Sequence, residues 1–133
     1  MNTRIHCVLL AALLAVPSIL RADDFYRGKT VRVIVGGSAG GGFDIYTRAM
    51  ARHMGKHIPG NPFLIVENMT GAGTLIAAKY VHGSAKPDGL SIGMFNGSLI
   101  LGRAIGMKGI DFDMRELEYL GVPVQDNTVC ALR

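Results

Sequence analysis

Two short glycine-rich turns constrain this chain more than any other feature. Residues 36–44 (GGSAGGGFD) and 67–73 (ENMTGAG) each follow an apolar run and each open a helical pattern. A strand that ends in glycines and then starts a helix gathers several free backbone N–H groups at one point. With the positive end of the helix dipole, those donors suit a small anion. Two such turns at one edge of one sheet would offer two sets of donors to a single ligand.

The flanking segments fit that reading. Residues 30–35 (TVRVIV) are rich in β-branched residues and predict a strand. Phe43, Tyr46, Ala49, Met50 and Met54 recur at spacings of three and four and predict the apolar face of a helix, with Arg48 and Arg52 opposite. Gly55 and Pro59-Gly60 end it. Residues 63–66 (FLIV) predict a short buried strand, and a second helix runs from Thr74 to about Val81. Lys86–Gly89 (KPDG) is a turn. Residues 90–95 (LSIGMF) predict a third strand, after which Asn96-Gly97-Ser98 opens a third, shorter helix. Residues 117–122 and 128–132 predict two further strands. Strands alternating with helices imply an α/β fold of right-handed βαβ units on a parallel sheet. Ligands of such sheets sit beyond the carboxyl ends of the strands, where all three turns fall.

At 133 residues the chain is one domain's worth. Its 18 glycines are about twice the usual share, but they cluster in turns without a period, which excludes a collagen-like chain. Residues 1–22 read as a secretory signal: Arg4 is the positive start, residues 7–20 are apolar, and Ala22 is a small residue at the cut. Leu20 is larger than the residue usual at the minus-three position. The apolar run is shorter than a membrane span and contains Pro17; an uncleaved anchor is the alternative. Residues 23–133 are then the mature domain. The formal charge is +4; setting aside Arg4 and Arg21 leaves 12 basic against 10 acidic residues, a net of +2. That balance, with no basic run, excludes a nucleic-acid partner. Cys7 precedes the apolar run, against a lipoprotein cut, and Cys130 is expected to be a small buried hydrophobe.

The first turn is not a nucleotide loop. No register of 36–44 gives GxGxxG, and Gly28-Lys29-Thr30 lacks a leading glycine because Asp23 stands there. Gly40, Gly41 and Gly42 either merely allow a tight turn or display N–H groups to an anion, and the second turn favours the latter. Asp44 is expected to hold the glycine loop by accepting N–H bonds, since a bare carboxylate would repel an anion. Thr70 or Thr74 caps the second helix or joins Gly71, Ala72 and Gly73 in a binding loop. Asn96 and Ser98 are third-turn candidates, with Ser98 as a helix cap the plainer role. His53 and His57 stand four apart on one helix, but no HExxH or third ligand accompanies them, so exposed positions are expected and no metal. Asp111 and Asp113 are expected to be solvated. No GxSxG elbow or carboxylate pair marks an enzyme. The rival readings are a small enzyme using the glycine loops as an oxyanion site, with Ser38 as its nucleophile, and a non-functional remnant.

Taken together, these motifs resemble the extracytoplasmic solute receptors of tripartite tricarboxylate transporters, also called Bug-type receptors. The shared pattern is an N-terminal signal, FYRGKTVRVIVG, a glycine loop with Asp44, IPGNPFLIVENMTGAG, and KPDG before an apolar strand. It runs from about Phe25 to the end. The resemblance implies a type II periplasmic binding protein, in which two α/β lobes enclose a cleft. It implies a small carboxylate ligand, membrane permease subunits as partners, no cofactor, no catalysis, a monomer and a periplasmic location. The family's ligand carboxylate is held by the first two loops, partly through waters. On matching positions this implicates Ser38, Ala39, Gly40, Gly41, Gly42 and Asp44, and Thr70, Gly71, Ala72, Gly73 and Thr74. Two positions depart from the family: Ala39 and Thr70 stand where proline is common. Family members are typically more than twice this length, so the chain is expected to be the signal and first lobe only, with the second lobe missing and binding impaired.

Overall fold

A computed structural model describes residues 25–123. The expected signal, both cysteines and the strand expected at 128–132 lie outside the described residues. The sheet has three strands, β1 (Thr30–Val35), β2 (Phe63–Asn68) and β3 (Ser91–Met94), in the order β2-β1-β3. Both pairings are parallel, with Arg32 level with Ile65 and with Ser91. The fold is therefore α/β, as the alternation of strands and helices predicts. β1 lies between two neighbours and is covered on both faces, so its β-branched residues are the centre of the core: Val31, Ile34 and Val35 are almost fully buried.

Three helices connect and follow the strands: α1 (Gly42–Met54), α2 (Leu75–Gly83) and α3 (Ser98–Ala104). α1 packs on β1 and β2, and α2 packs on β1 and β3. They take opposite faces. Leu64 and Val66 of β2 line a groove with Ala51 of α1, whereas Arg32 of β1 reaches Tyr80 of α2. On that second face Arg32 Nη2 also donates to Glu67 Oε2 at 2.6 Å, and the guanidinium holds the Glu67 carboxyl below its usual range.

Three expectations need correction. The β2 segment is an edge strand, not a buried one, and it extends through Glu67 and Asn68, residues expected in the turn. α2 does not reach over it, so Phe63 is 77% exposed and Ile65 48%. The α1 helix is rotated from the expected setting. Asp44 and Thr47 are its buried residues, while Ile45, Tyr46 and Met50 are exposed. The cause is polar: Asp44 is tied to the glycine loop, as set out below, and Thr47 Oγ1 donates back to Phe43 O at 2.6 Å. Arg48 follows Asp44 to the sheet side.

The third correction concerns residues 117–122, which form no strand. A second core cluster forms upstream, where Ile110, Phe112 and Met114 pack with Ala78 of α2 and Leu99 of α3. Asp113 then accepts from the Arg115 N–H and turns Met114–Glu116 into one 3-10 turn. That turn diverts the chain from any ladder, and Tyr119, Leu120 and Val122 remain exposed. Asp111 and Asp113 are not merely solvated. Lys79 pairs with the first at 2.9 Å and Arg115 with the second at 2.6 Å, and these cations hold both carboxyls below the usual range.

Candidate functional site

Because all three strands are parallel, their carboxyl ends lie on one rim, and each turn leaves from it. Hydrogen bonds tie the turns together there. Gly36 N–H donates to Met94 O at 2.8 Å, and Met69 N–H to Val35 O at 2.7 Å. Thr74 Oγ1 accepts from the Asn96 N–H at 2.9 Å, linking the second turn to the third. Gly36 presses against Thr74 so closely that a Cβ on it would stand 2.5 Å from the Thr74 Cβ. Thr74 is therefore the hub of the rim. Its side chain makes no cap for its own helix, against one of the two roles expected of it.

The first turn is held by Asp44, which is 3% exposed. Its Oδ2 accepts from the Gly40 N–H at 2.8 Å. Arg48 Nε lies 2.9 and 3.0 Å from its two oxygens, one helical turn on. Asn68, the last residue of β2, donates to Asp44 Oδ1 and to Gly37 O, both at 2.9 Å, and accepts from Arg48 Nη2. Arg48 first, then the Gly40 N–H and Asn68, lower the Asp44 pKa to about 2. The carboxylate is thus ionised and offset by a guanidinium, so it is not the bare charge that would repel an anion. Arg48 and Asn68 were not among the expected site residues. The four-residue spacing of Asp44 and Arg48 was a readable signal, whereas Asn68 met them only through strand pairing.

The donors divide unevenly. Gly40 gives its N–H to Asp44, and Gly41 gives its N–H to Ser38 O at 3.0 Å, so these two amides are spent inside the loop. Among the described residues, the N–H groups of Ser38, Ala39, Gly42 and Phe43 have no acceptor. Ser38 and Ala39 are exposed. In the second turn Gly71, Ala72, Gly73 and Thr74 all have positive φ, at 136, 45, 61 and 77°. For Thr74, which is β-branched, that is strained backbone. Successive left-handed residues turn neighbouring N–H groups to the same side and form an anion-binding concavity. Thr70, Gly71, Ala72 and Gly73 donate to no acceptor among the described residues, while Thr74 N–H returns to Gly71 O at 3.0 Å.

The third turn offers less than expected. Asn96 N–H is taken by Thr74, and Ser98 N–H donates to Asn96 Oδ1 at 2.9 Å. Asn96, not Ser98, therefore caps α3. Ser98 is the helix's first residue, and both serve the fit between turns.

At the level of sequence, this rim has a counterpart. The chain is 39% identical over 80 residues to the "UPF0065 protein in gbd 5'region" of Cupriavidus necator. The match covers 60% of this chain and 23% of that protein, so the chain spans under a quarter of the relative's length. No family model matches the chain. The relative supports the resemblance to Bug-type receptors, and its name points to a binding-protein family rather than to an enzyme.

The remaining expected candidates lie away from the rim. His53 and His57 are exposed at the far end of α1, as expected. Among the described residues no group of three or more His, Cys, Asp or Glu could hold a metal ion, and no helix is long and apolar enough to cross a membrane.

Proposed function

We propose that this chain forms a periplasmic capture lobe for a small carboxylate solute, acting with the membrane permease of a tripartite tricarboxylate-type transporter. The observation that carries the reading is the pair of turns joined through Thr74, with Gly42 and Phe43 donors on one and Thr70–Gly73 donors on the other. A carboxylate has two oxygens and can accept from both sets. Each charge-assisted hydrogen bond contributes about 1.5–3 kcal/mol, so two of them support binding near ~1 mM on a single wall. A second wall that closed over the ligand would exclude water and tighten it. The periplasmic location rests on residues 1–22, and N-terminal sequencing of exported protein beginning near residue 23 tests it.

Binding is tested by amide NMR of the full chain titrated with succinate, citrate, benzoate and glutamate. One of these should shift the amides of Gly42, Phe43 and Gly71–Gly73, with a Kd of about 1 mM. Gly73→Asp and Gly42→Glu both place charge where a Cβ meets open space, so they should fold and abolish the shifts. Silence across the panel, or affinity unchanged in both variants, refutes the reading. The enzyme alternative has its own assay, turnover of simple esters. Activity lost in Ser38→Ala would replace capture with acyl transfer.

A further inference from the structure

β2 is an edge strand, and its outer side carries backbone groups that pair with nothing in the sheet. Phe63 N–H donates to Lys29 O and Met69 N–H to Val35 O, so the odd-numbered residues of β2 bond towards β1. The N–H and C=O groups of Leu64 and Val66 therefore point to the open edge. A groove of about 500 Å³ runs along this edge on the α1 face. Its walls include Arg48, Arg52 and Lys56, four residues apart along α1 and the turn that continues it, and Leu64 and Val66 of the strand. Arg48 is committed to Asp44, but among the described residues neither Arg52 nor Lys56 meets a carboxylate. On the opposite face of the same strand, Phe63 and Ile65 lie open to solvent.

We propose that the open edge of β2 takes an extended segment of a partner protein as a fourth strand, with acidic side chains towards Arg52 and Lys56 and apolar ones over Phe63 and Ile65. A strand added to a sheet edge gains main-chain hydrogen bonds, and its side chains alternate between the two faces. Here one face is basic and the other apolar, which selects alternation of acidic and apolar residues. The charge also decides against a second copy of this chain. Antiparallel pairing of two β2 strands keeps both α1 helices on one face and brings two basic stripes together. This site lies on another side of the sheet from the rim and does not depend on the carboxylate reading.

The probe is a capped nine-residue peptide of alternating valine and glutamate, titrated into the full chain and followed by amide NMR and hydrogen exchange. Binding should slow exchange at Leu64 and Val66, and a valine–lysine peptide should bind at least tenfold more weakly. Arg52→Glu with Lys56→Glu, both exposed, should weaken the acidic peptide at least tenfold without lowering the Tm. Val66→Pro removes an outward N–H and leaves the ladder to β1 intact, so it should also weaken binding. The proposal fails if the acidic peptide does not bind at millimolar concentration, or if the lysine peptide binds as well. It fails equally if the charge reversal changes nothing, if an oligothymidine competes for the groove more strongly than the peptide, or if sedimentation shows dimers that Val66→Pro dissolves.

Discussion

Replacing Gly36 with alanine is expected to destabilise the fold severely, although the change is one methyl group. Gly36 is buried at the end of β1, and its N–H is fixed to Met94 O. A Cβ there stands 2.5 Å from the Cβ and 3.0 Å from the Cα of Thr74. A flexible side chain could swing aside, but Thr74 cannot. Its Oγ1 holds Asn96, its N–H holds Gly71 O, and its backbone is already left-handed at φ 77°. Overpacking costs about 1–3 kcal/mol where neighbours can yield and more where backbone is struck, so a fall in Tm of roughly 10–20 °C is expected. Gly42→Ala, which meets open space at the start of α1, should melt within about 3 °C of the parent. Thr74→Gly in the Gly36→Ala background removes both the clash and the strained β-branched residue, and should recover part of the loss as a non-additive pair. Circular dichroism melts of the four proteins decide the matter. A Gly36→Ala protein that melts with the parent would mean that the first and second turns do not meet as described, and the joint site would go with them.

Gly36 also shows what sequence could and could not say. That residues 36–44 form a strand-to-helix turn was legible from composition and period alone, as were the order of elements and the shared rim of the three turns. These are local properties that a parallel sheet then places together. That Gly36 is the point of contact with Thr74 was not legible, because the contact exists only once β2 and β3 take their places on either side of β1.

The rotation of α1 was missed for a related reason. Phe43, Tyr46 and Met50 give the helix an apolar stripe, and periodicity reads a stripe as the inward face. Yet the inward face is set by Asp44, whose partners are the Gly40 amide, four residues earlier in the chain, and Asn68, at the far end of another strand. A buried hydrogen-bonded carboxylate outweighed the stripe. The same blindness applies to Glu67. Residue by residue it looked like the start of a polar turn, whereas its register opposite Ile34 keeps it in β2, in reach of Arg32.

Loss of the Asp44 carboxylate is expected to have the second largest effect, and pH should reveal its origin. Asp44→Ala leaves the Gly40 N–H, Arg48 and Asn68 each without a partner they now share, in a site closed to water. A Tm lower by roughly 5–15 °C at pH 7 is expected, together with faster amide exchange at Gly40. Asp44→Asn keeps an oxygen for the Gly40 N–H but not the charge that meets Arg48, and should fall between the two. The folded-state pKa of about 2 lies below the ordinary aspartate value near ~3.9. A lowered pKa means that the ionised carboxylate stabilises the fold in full above the unfolded value. That contribution drains away as pH falls from ~4 towards 2, when the unfolded chain takes up its proton first. The gap between parent and Asp44→Ala should therefore be widest at neutral pH and narrow steadily across that window. Glu67, Asp111 and Asp113 also lose their contributions in acid, but both proteins carry them, so they cancel in the difference. A gap as wide at pH 2 as at pH 7 would show that Asp44 acts through shape alone. The claim that a charged network fixes the first turn would then be wrong.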